Sequence, residues 1–306
     1  MKVLVTGASG LLGKELVKEL LFRGYTVVAI YNRNLINVES VKLVKVKLDI
    51  VNRSMLEQLV LKTQPDIIVH AAAYTDVDGC ELHKELAWNV NVEATRSIVR
   101  AARSIKTRPY LIYISTDYVF DGEKGMYKEE DVPNPVNYYG LTKLVGEEIV
   151  KTSDLEYTIV RTSAIYGVGG SKKSFAEFVA EELSKGKKVY ALQDQYVSPT
   201  LNTLLAQALV EVIELKPHGI LHIAGERMSR YEFALKIAEV LGLPKNLIEK
   251  TNMENMSKWI ARRPRDSSLN TEKARRILKT PFNDTQLALK LFKSQWLKYR
   301  GAQHAI

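Results

Sequence analysis

Short apolar, β-branched runs alternate along this chain with longer stretches whose apolar residues recur at helical spacing. The runs are "KVLVTG" (2–7), "TVVAIY" (26–31), "VKLVKVKLDI" (41–50), "DIIVHAAA" (66–73), "YLIYIST" (110–116) and "YTIVRTS" (157–163). Between them the pattern predicts helices through about Arg23, near 53–63, near 83–104 and near 138–152. Strands that alternate with helices imply parallel strands joined by crossovers, hence a doubly wound α/β sheet of the Rossmann kind. Continuous apolar strands, rather than alternating ones, fit a sheet covered on both faces. Past Ile165 the pattern loosens. "YGVGGSKKS" (166–174) reads as a loop, helices are expected near 174–185, 201–214, 229–242 and 271–278, and one more strand is expected at "ILHIAG" (220–225). In the tail, Leu289, Phe292, Trp296 and Tyr299 form a helical stripe that packs against the body or a second subunit. The expected division is a dinucleotide-binding domain of residues 1–165 plus about 196–225, and a smaller mixed α/β substrate-binding domain of about 166–195 plus 226–306.

The first strand runs into "GASGLLG", with Gly7, Gly10 and Gly13 spaced as G-x-x-G-x-x-G at the opening of a helix. Gly7 permits a tight turn, Gly10 leaves room for a pyrophosphate against the backbone, and Gly13 lets the helix approach the sheet. The helix N-terminus offers free N–H groups and partial positive charge to the phosphates. Ser9, Leu11 and Leu12 lie in the same turn and are expected to line the cofactor. A glycine triplet alone is a weak signal; strand, turn and helix in this order strengthen it.

The end of the second strand bears on the choice of dinucleotide. A carboxylate there would accept from the ribose 2′-OH of NAD; here the sequence reads Asn32 and Arg33. Arg33 either pairs with a 2′-phosphate, favouring NADP(H) with NAD(H) as the alternative, or is simply solvated. Asp49 and Ile50, at the end of the third strand, are placed to border the adenine.

Tyr139 and Lys143 in "YYGLTK" are four residues apart, which on a helix puts them on one face. A phenol is a poor acid or base near neutrality, and a neighbouring ammonium is expected to bring its pKa towards the working range. Tyr-x-x-x-Lys also occurs by chance. Here it follows a strand ending in Ser115 and Thr116, either of which can bind the oxygen interconverted between carbonyl and hydroxyl.

Composition adds little until charge is considered. The 306 residues include one cysteine, Cys80, which excludes an internal disulfide framework and suits a reducing, cytoplasmic setting. Cys80 could be a nucleophile; an idle thiol is the simpler reading. No apolar run is long enough for a membrane span, no signal peptide precedes the first strand, and the five histidines lack zinc spacing, so neither membrane nor metal is expected. Of the net charge of +9, all is supplied between Lys258 and Arg300, where 12 Lys and Arg face 3 Asp and Glu. Such a segment is a solvated helical surface, an anion pocket, or a nucleic-acid surface. No nucleic-acid-reading motif accompanies it.

These features together resemble the extended short-chain dehydrogenase/reductase family. "HAAAYTDVDGCE" (70–81), "STDYVFDG" (115–122), "YYGLTKLVGEE" (138–148), "RTSAIYG" (161–167), "DQYVSPT" (194–200) and "ARRPRDSSLNTEK" (261–273) further resemble its dTDP-4-dehydrorhamnose reductase branch, over almost the whole chain. The resemblance implies hydride transfer from NADPH to C4 of dTDP-4-dehydro-6-deoxy-L-mannose, giving dTDP-L-rhamnose. Tyr139 would give the proton, Lys143 would hold the nicotinamide ribose and tune Tyr139, and Thr116 would orient the keto group. Asn91 would have a supporting role at the cofactor. Ala71, Ala72 and Ala73 would line the cofactor cleft. Val77, Asp117 and Tyr118 would border the sugar. Gln195 and Arg262 or Arg263 would lie towards the nucleotide, which gives the basic segment a use: arginine forks suit a diphosphate. The resemblance also suggests a homodimer. Some relatives hold Mg2+ between subunits, and no carboxylate cluster here compels one.

One residue departs from the branch. The tryptophan expected after "RTS" is Ala164, which removes an aromatic wall from the sugar pocket unless Tyr118, Tyr166 or Phe175 supplies it. Two other readings stand beside the reductase: an epimerase or dehydratase of sugar nucleotides, and a non-catalytic NADP-binding regulatory subunit such as that of methionine adenosyltransferase. Dehydratases commonly carry an acidic pair beside the threonine, and "STDYVF" has Asp117 with no adjacent glutamate. An intact Thr116, Tyr139 and Lys143 argues against a catalytically dead subunit.

Overall fold

The computed structural model describes residues 1–304. Six strands, Lys2–Thr6 (β1), Thr26–Tyr31 (β2), Leu43–Lys47 (β3), Ile67–His70 (β4), Tyr110–Thr116 (β5) and Tyr157–Thr162 (β6), join a seventh, Gly219–His222, in one sheet. From one edge the order is Gly219–His222, β6, β5, β4, β1, β2, β3. Every pairing is parallel. The winding reverses between β1 and β4, and the crevice beyond the carboxyl ends of strands at such a reversal is where a doubly wound sheet binds its ligand.

The apolar runs are continuous because both faces are covered. Val3 and Val5 of β1 share a core with Leu16, Val17 and Leu20, whereas Leu4 faces Leu56, Val60 and Ile98 on the other side. The first set of partners lies on helix α1 (Gly13–Phe22); the second lies on α2 (Arg53–Thr63) and, past two short helices, α3 (Val77–Leu82) and α4 (Lys84–Trp88), on α5 (Ala94–Arg103). The edge strand β3 is the exception, half-exposed and alternating with lysines, and it is shorter than the ten-residue run suggested.

The predicted helix near 83–104 is in fact a series. It begins at Val77, where the Asp76 carboxylate caps it, and breaks at His83. It then passes through a π-turn at Asn89–Glu93 before α5. A π-turn shifts the helical register locally and turns one side chain out of the regular stripe; here the sequence pattern could not reveal it.

The remaining helices are α6 (Tyr138–Lys151), α7 (Phe175–Ser184), α8 (Asn202–Leu215), α9 (Arg230–Leu241), α10 (Glu272–Ile277) and α11 (Thr285–His304). They lie within a residue or two of the predicted ones up to α10. Three two-stranded ladders were not foreseen: Val189–Leu192 beside Ile248–Thr251, Ile165–Tyr166 beside Thr200–Leu201, and Tyr196–Val197 beside Met228–Ser229. Strands of two to four residues show no periodicity, so only tertiary pairing defines them. These ladders, with α7 and α9, form a smaller mixed α/β layer beside the sheet.

The tail stripe packs on the body. Leu289, Phe292 and Trp296 are buried, and Phe292 meets the Tyr166 ring edge-on at 5.6 Å. On the same helix, Gln295 donates to Asn202 Oδ1 (3.2 Å), and Asn202 Nδ2 donates to the Leu11 carbonyl (3.0 Å). The C-terminal helix therefore braces the glycine turn.

Candidate active site

The glycine turn is built as its residues require. Gly7 adopts φ +68°, and a Cβ there would press on the Ala72 backbone nitrogen at 2.8 Å. A Cβ on Gly13 would run into the Gly7 carbonyl oxygen and come within 2.8 Å of Ala8 Cα. Gly10 differs, because a Cβ there would meet only the Gly7 oxygen at 3.1 Å and otherwise open space. Among the described residues, the N–H groups of Leu11, Leu12 and Gly13 donate to no backbone carbonyl. An open cradle with orphan donors at the start of α1 fits a dinucleotide pyrophosphate.

Around this turn, the Thr6 hydroxyl accepts from the Ala72 N–H (3.1 Å) and donates to His70 Nδ1 (2.7 Å). His70 Nε2 then donates to Thr95 Oγ1 (3.0 Å), which donates to the Asn91 carbonyl (2.7 Å). With Thr6 as the donor to Nδ1 the imidazole is neutral, and burial, with the nearby Lys143, holds the His70 pKa down at about 3. The π-turn residue Asn91 is buried, and its amide is fully engaged: Oδ1 accepts from the Tyr74 N–H, and Nδ2 donates to the Tyr74 carbonyl and to Thr142 Oγ1. Asn91 thus ties the Ala71–Ala73 segment, which lines the crevice half-buried, to helix α6.

At the carboxyl end of β2, Asn32 and Arg33 are exposed with no carboxylate beside them in the strand end. Asp49 is exposed and accepts from the Val51 N–H (3.1 Å), and Ile50 is buried. Ser9 and Leu11 are half-buried and Leu12 is buried.

Helix α6 carries the acid–base pair. Its first turn is capped twice, by Asn137 Oδ1 on the Gly140 N–H (2.8 Å) and by Glu81 Oε1 on the Tyr138 N–H (2.8 Å). Two glycines let it lie directly on β5. A Cβ at Gly140 would collide with the Tyr118 carbonyl oxygen, and one at Gly146 with the Tyr113 hydroxyl. Gly140→Ala is therefore expected to lower stability by about 2–4 kcal/mol, as overpacking and backbone shifts do. It should reduce turnover more than cofactor affinity, because the residue moved is the neighbour of Tyr139. Chemical denaturation and nicotinamide fluorescence check the two effects separately.

Lys143 is 2% exposed, with its Nζ over the Tyr113 ring at 4.0 Å. Burial drives its pKa down to about 7, against the pull of the Glu147 carboxylate one helical turn on. Tyr139 moves the opposite way from the sequence expectation. Burial holds its phenol proton on, well above the ordinary value, although the Thr116 hydroxyl beside it works the other way. The physical reason is that desolvation of the phenolate outweighs that one favourable contact, and the neighbouring Asp117, Cys80 and Tyr118 groups act in the same direction as burial. A phenol held protonated is the form that can donate to a developing alkoxide.

Beneath the pair lies a network that sequence reasoning missed. Glu147 and Arg161, both buried, form a two-point ion pair (2.7 and 2.9 Å). Ser115 donates to the same carboxylate (2.5 Å), and His222 accepts from Arg161 (3.4 Å) while donating through Nδ1 to the Tyr127 carbonyl (3.0 Å). Ser115 is thereby committed inward, which leaves Thr116 as the hydroxyl at the phenol. The available signal was Glu147 falling four residues after Lys143.

On the substrate side the expected residues divide. Val77 and Tyr118 are half-buried at the crevice, and the Tyr118 ring meets Tyr139 edge-on at 6.0 Å. Asp117 does not reach the crevice. It is 2% exposed and accepts from the hydroxyls of Thr116, Ser163 and Ser267, so it organises the strand ends. Gln195 is also buried, 1% exposed. Arg263 pairs with Asp78 (2.8 Å) and stacks on Trp259, while Arg262 is exposed and faces Glu123 at 3.5 Å. Of the three aromatics that could replace the missing wall at Ala164, Tyr166 is buried among Phe233 and Phe292. Phe175 and Tyr118 remain at the crevice, with Arg230, which the sequence did not single out, over the Phe175 ring at 5.2 Å.

The RmlD substrate binding domain model matches residues 1–297. The "Probable low-salt glycan biosynthesis reductase Agl14" of Haloferax volcanii is 35% identical over 88% of this chain and 89% of its own. The dTDP-4-dehydrorhamnose reductase of Aggregatibacter actinomycetemcomitans is 32% identical over 94% and 97%. The methionine adenosyltransferase 2 subunit beta of Bos taurus is 31% identical over 92% and 84%. Among solved structures, a hypothetical dTDP-4-dehydrorhamnose reductase from Sulfolobus tokodaii superposes with a TM-score of 0.83 at 46% identity, over 94% of this chain and 99% of that one. The dTDP-4-dehydrorhamnose reductase of Bacillus anthracis, in complex with NADP, gives 0.83 at 31% identity, over 95% and 98%.

Proposed function

This chain belongs to the RmlD substrate binding domain family, and from that premise we propose that it reduces the C4 keto group of dTDP-4-dehydro-6-deoxy-L-mannose, with NADPH, to dTDP-L-rhamnose. The observation that carries the reading is the placement of the Tyr139 phenol beside Thr116 and one helical turn from Lys143, at the crevice where the sheet reverses. The cofactor supplies the hydride; the chain supplies position and a proton. Tyr139 gives its proton to the keto oxygen as negative charge develops, and Thr116, whose hydroxyl donates to Asp117 Oδ1 in this structure, would hold that oxygen by turning the hydroxyl towards it. Lys143 would meet the ribose when the cofactor is bound and, in its charged form, would offset the phenolate left behind. The glycine turn and Ala71–Ala73 would hold the pyrophosphate when the dinucleotide is bound.

The test is to mix the protein with NADPH and the 4-keto-6-deoxy sugar nucleotide, follow the absorbance of the reduced nicotinamide, and identify the product sugar by mass and NMR. Stoichiometric oxidation of NADPH with formation of a 6-deoxyhexose nucleotide supports the reading. Product formation without net cofactor consumption would instead indicate an epimerase or dehydratase. NADPH binding without turnover, whatever the sugar, would indicate a regulatory subunit like the methionine adenosyltransferase relatives. The same assay examines the cofactor preference. Arg33→Ala should raise the KM for NADPH about tenfold and that for NADH by less than twofold, the loss of one charge-assisted contact to a 2′-phosphate. Equal changes would remove Arg33 from the site. A homodimer in the cytoplasm belongs to the same proposal, and sedimentation of the purified protein tests the dimer.

A further inference from the structure

The arginines nearest the crevice are mostly committed. Arg263 pairs with Asp78, Arg262 faces Glu123, Arg265 faces Asp194 and Arg227 pairs with Asp266. Arg230 is different. It is the first residue of α9, half-buried, and among the described residues it has no carboxylate partner. Its neighbours are neutral. Nε donates to Gln195 Oε1 at 2.7 Å, the guanidinium lies over the Phe175 ring at 5.2 Å, and the Tyr118 phenol lies against it.

This setting orients the guanidinium without neutralising it. Gln195 is itself fixed, because its Nε2 donates to the Pro264 carbonyl (3.4 Å) and its backbone carbonyl accepts from the Arg230 N–H (3.1 Å). The amide oxygen therefore points at Arg230 and occupies Nε. The terminal nitrogens keep the geometry of a fork, and Phe175 holds its plane. Leaving a charge half-desolvated and unpaired is unfavourable for the fold alone. It is favourable where a ligand brings the opposite charge.

We propose that Arg230, aimed by Gln195 and Phe175, is the seat for the diphosphate of the substrate and thereby sets the distance between that anion and the reacting carbon. The proposal rests on the nucleotide-sugar reading above. In that substrate the diphosphate is the charged group, and the sugar ring is neutral. C1, which bears the diphosphate, and C4 lie at opposite ends of a hexose ring. Tyr118 meets both Arg230 and Tyr139, with its ring 6.0 Å from that of Tyr139, so one side chain links the proposed anion seat to the proton donor.

The test is titration calorimetry of the NADP-loaded protein with dTDP and, as the uncharged control, thymidine. Arg230→Gln should weaken dTDP at least about tenfold, Arg230→Lys should weaken it less, and thymidine should bind all three proteins alike. In turnover, Arg230→Gln should raise the KM for the sugar nucleotide with kcat changed less than threefold, since the proton donor is untouched. Unchanged Tm and NADP affinity establish that the variants are folded; if Arg230→Gln fails that check, Arg230→Lys alone decides. dTDP affinity within twofold of the parent in a folded variant would overturn the assignment of Arg230 and leave the reductase reading standing. If the parent protein itself binds no nucleoside diphosphate, the nucleotide-sugar reading fails and the seat fails with it.

Discussion

Tyr139→Phe is expected to lower kcat by about 10^2- to 10^4-fold, the range for removal of a positioned general acid, while NADPH affinity stays within twofold. The substitution deletes one oxygen from a half-buried ring that meets Tyr118 edge-on at 6.0 Å, so the packing survives. What is lost is the proton. In reduction, hydride addition leaves an oxyanion on C4, and Thr116 cannot replace the phenol as its proton donor, because its one hydroxyl proton already donates to Asp117 Oδ1 (3.0 Å). Single-turnover absorbance of bound NADPH after mixing with the sugar nucleotide is the measurement. A variant that oxidises the cofactor at the parent rate would end Tyr139's assignment, and with it the reason for placing the reaction on this face of α6.

Lys143→Met should give a more stable protein that does not turn over. The lysine is 2% exposed, and burial brings its pKa from an ordinary 10.5 to about 7. Its folded value lies below its unfolded value, so between those two pH values the unfolded chain binds more protons than the folded one. Stability then rises with pH through that window, and the full penalty remains below pH 7. At about 1.4 kcal/mol for each pH unit of separation the penalty is several kcal/mol, partly offset by the Tyr113 ring 4.0 Å away. Methionine removes the charge and keeps the length. The melting temperature of the cofactor-free variant at pH 6.5 should therefore exceed the parent's by at least about 4 °C, and the gap should close as the pH approaches 10. A lower Tm at pH 6.5, or a gap that does not depend on pH, would show that Lys143 carries no such cost. The loss of activity has a separate origin, because a methionine can neither meet a ribose nor offset a phenolate. Stability gained as function is lost marks a residue kept for its chemistry.

The two variants depend on the same local fact, that α6 is pressed into the sheet. Gly140 and Gly146 have no side chains to hold it off, so Lys143 and Glu147 are carried into the interior with them. Glu147 finds Arg161 and Ser115 there, whereas Lys143 finds only the face of Tyr113 and the field of Glu147. The site is thus organised as an ion pair that is satisfied, beside a buried amine that forms no ion pair among the described residues.

How much of this was visible in the chain follows from the range of each interaction. Local pattern determined the alternating strands and helices, the parallel sheet and the glycine turn, since apolar periodicity, a tight turn and helix capping act within a few residues. It also brought Tyr139 and Lys143 to one helical face, because four residues make one turn. The break at His83, the π-turn around Asn91 and the two-residue ladders were decided only by tertiary contacts, where no periodic stretch exists to read. So were the fates of polar residues that look alike in one dimension. Asp117 turned inward because two hydroxyls from distant segments, those of Ser163 and Ser267, converge on it, and Ser115 because Glu147 lies beneath it. Arg263 lost its freedom to Asp78, 185 residues away, and Arg230 kept its own because the neighbours assembled around it are an amide and two rings. Spacing along the chain sets which side chains can share a face; burial and charge partners, which depend on the whole fold, set what each of them is able to do.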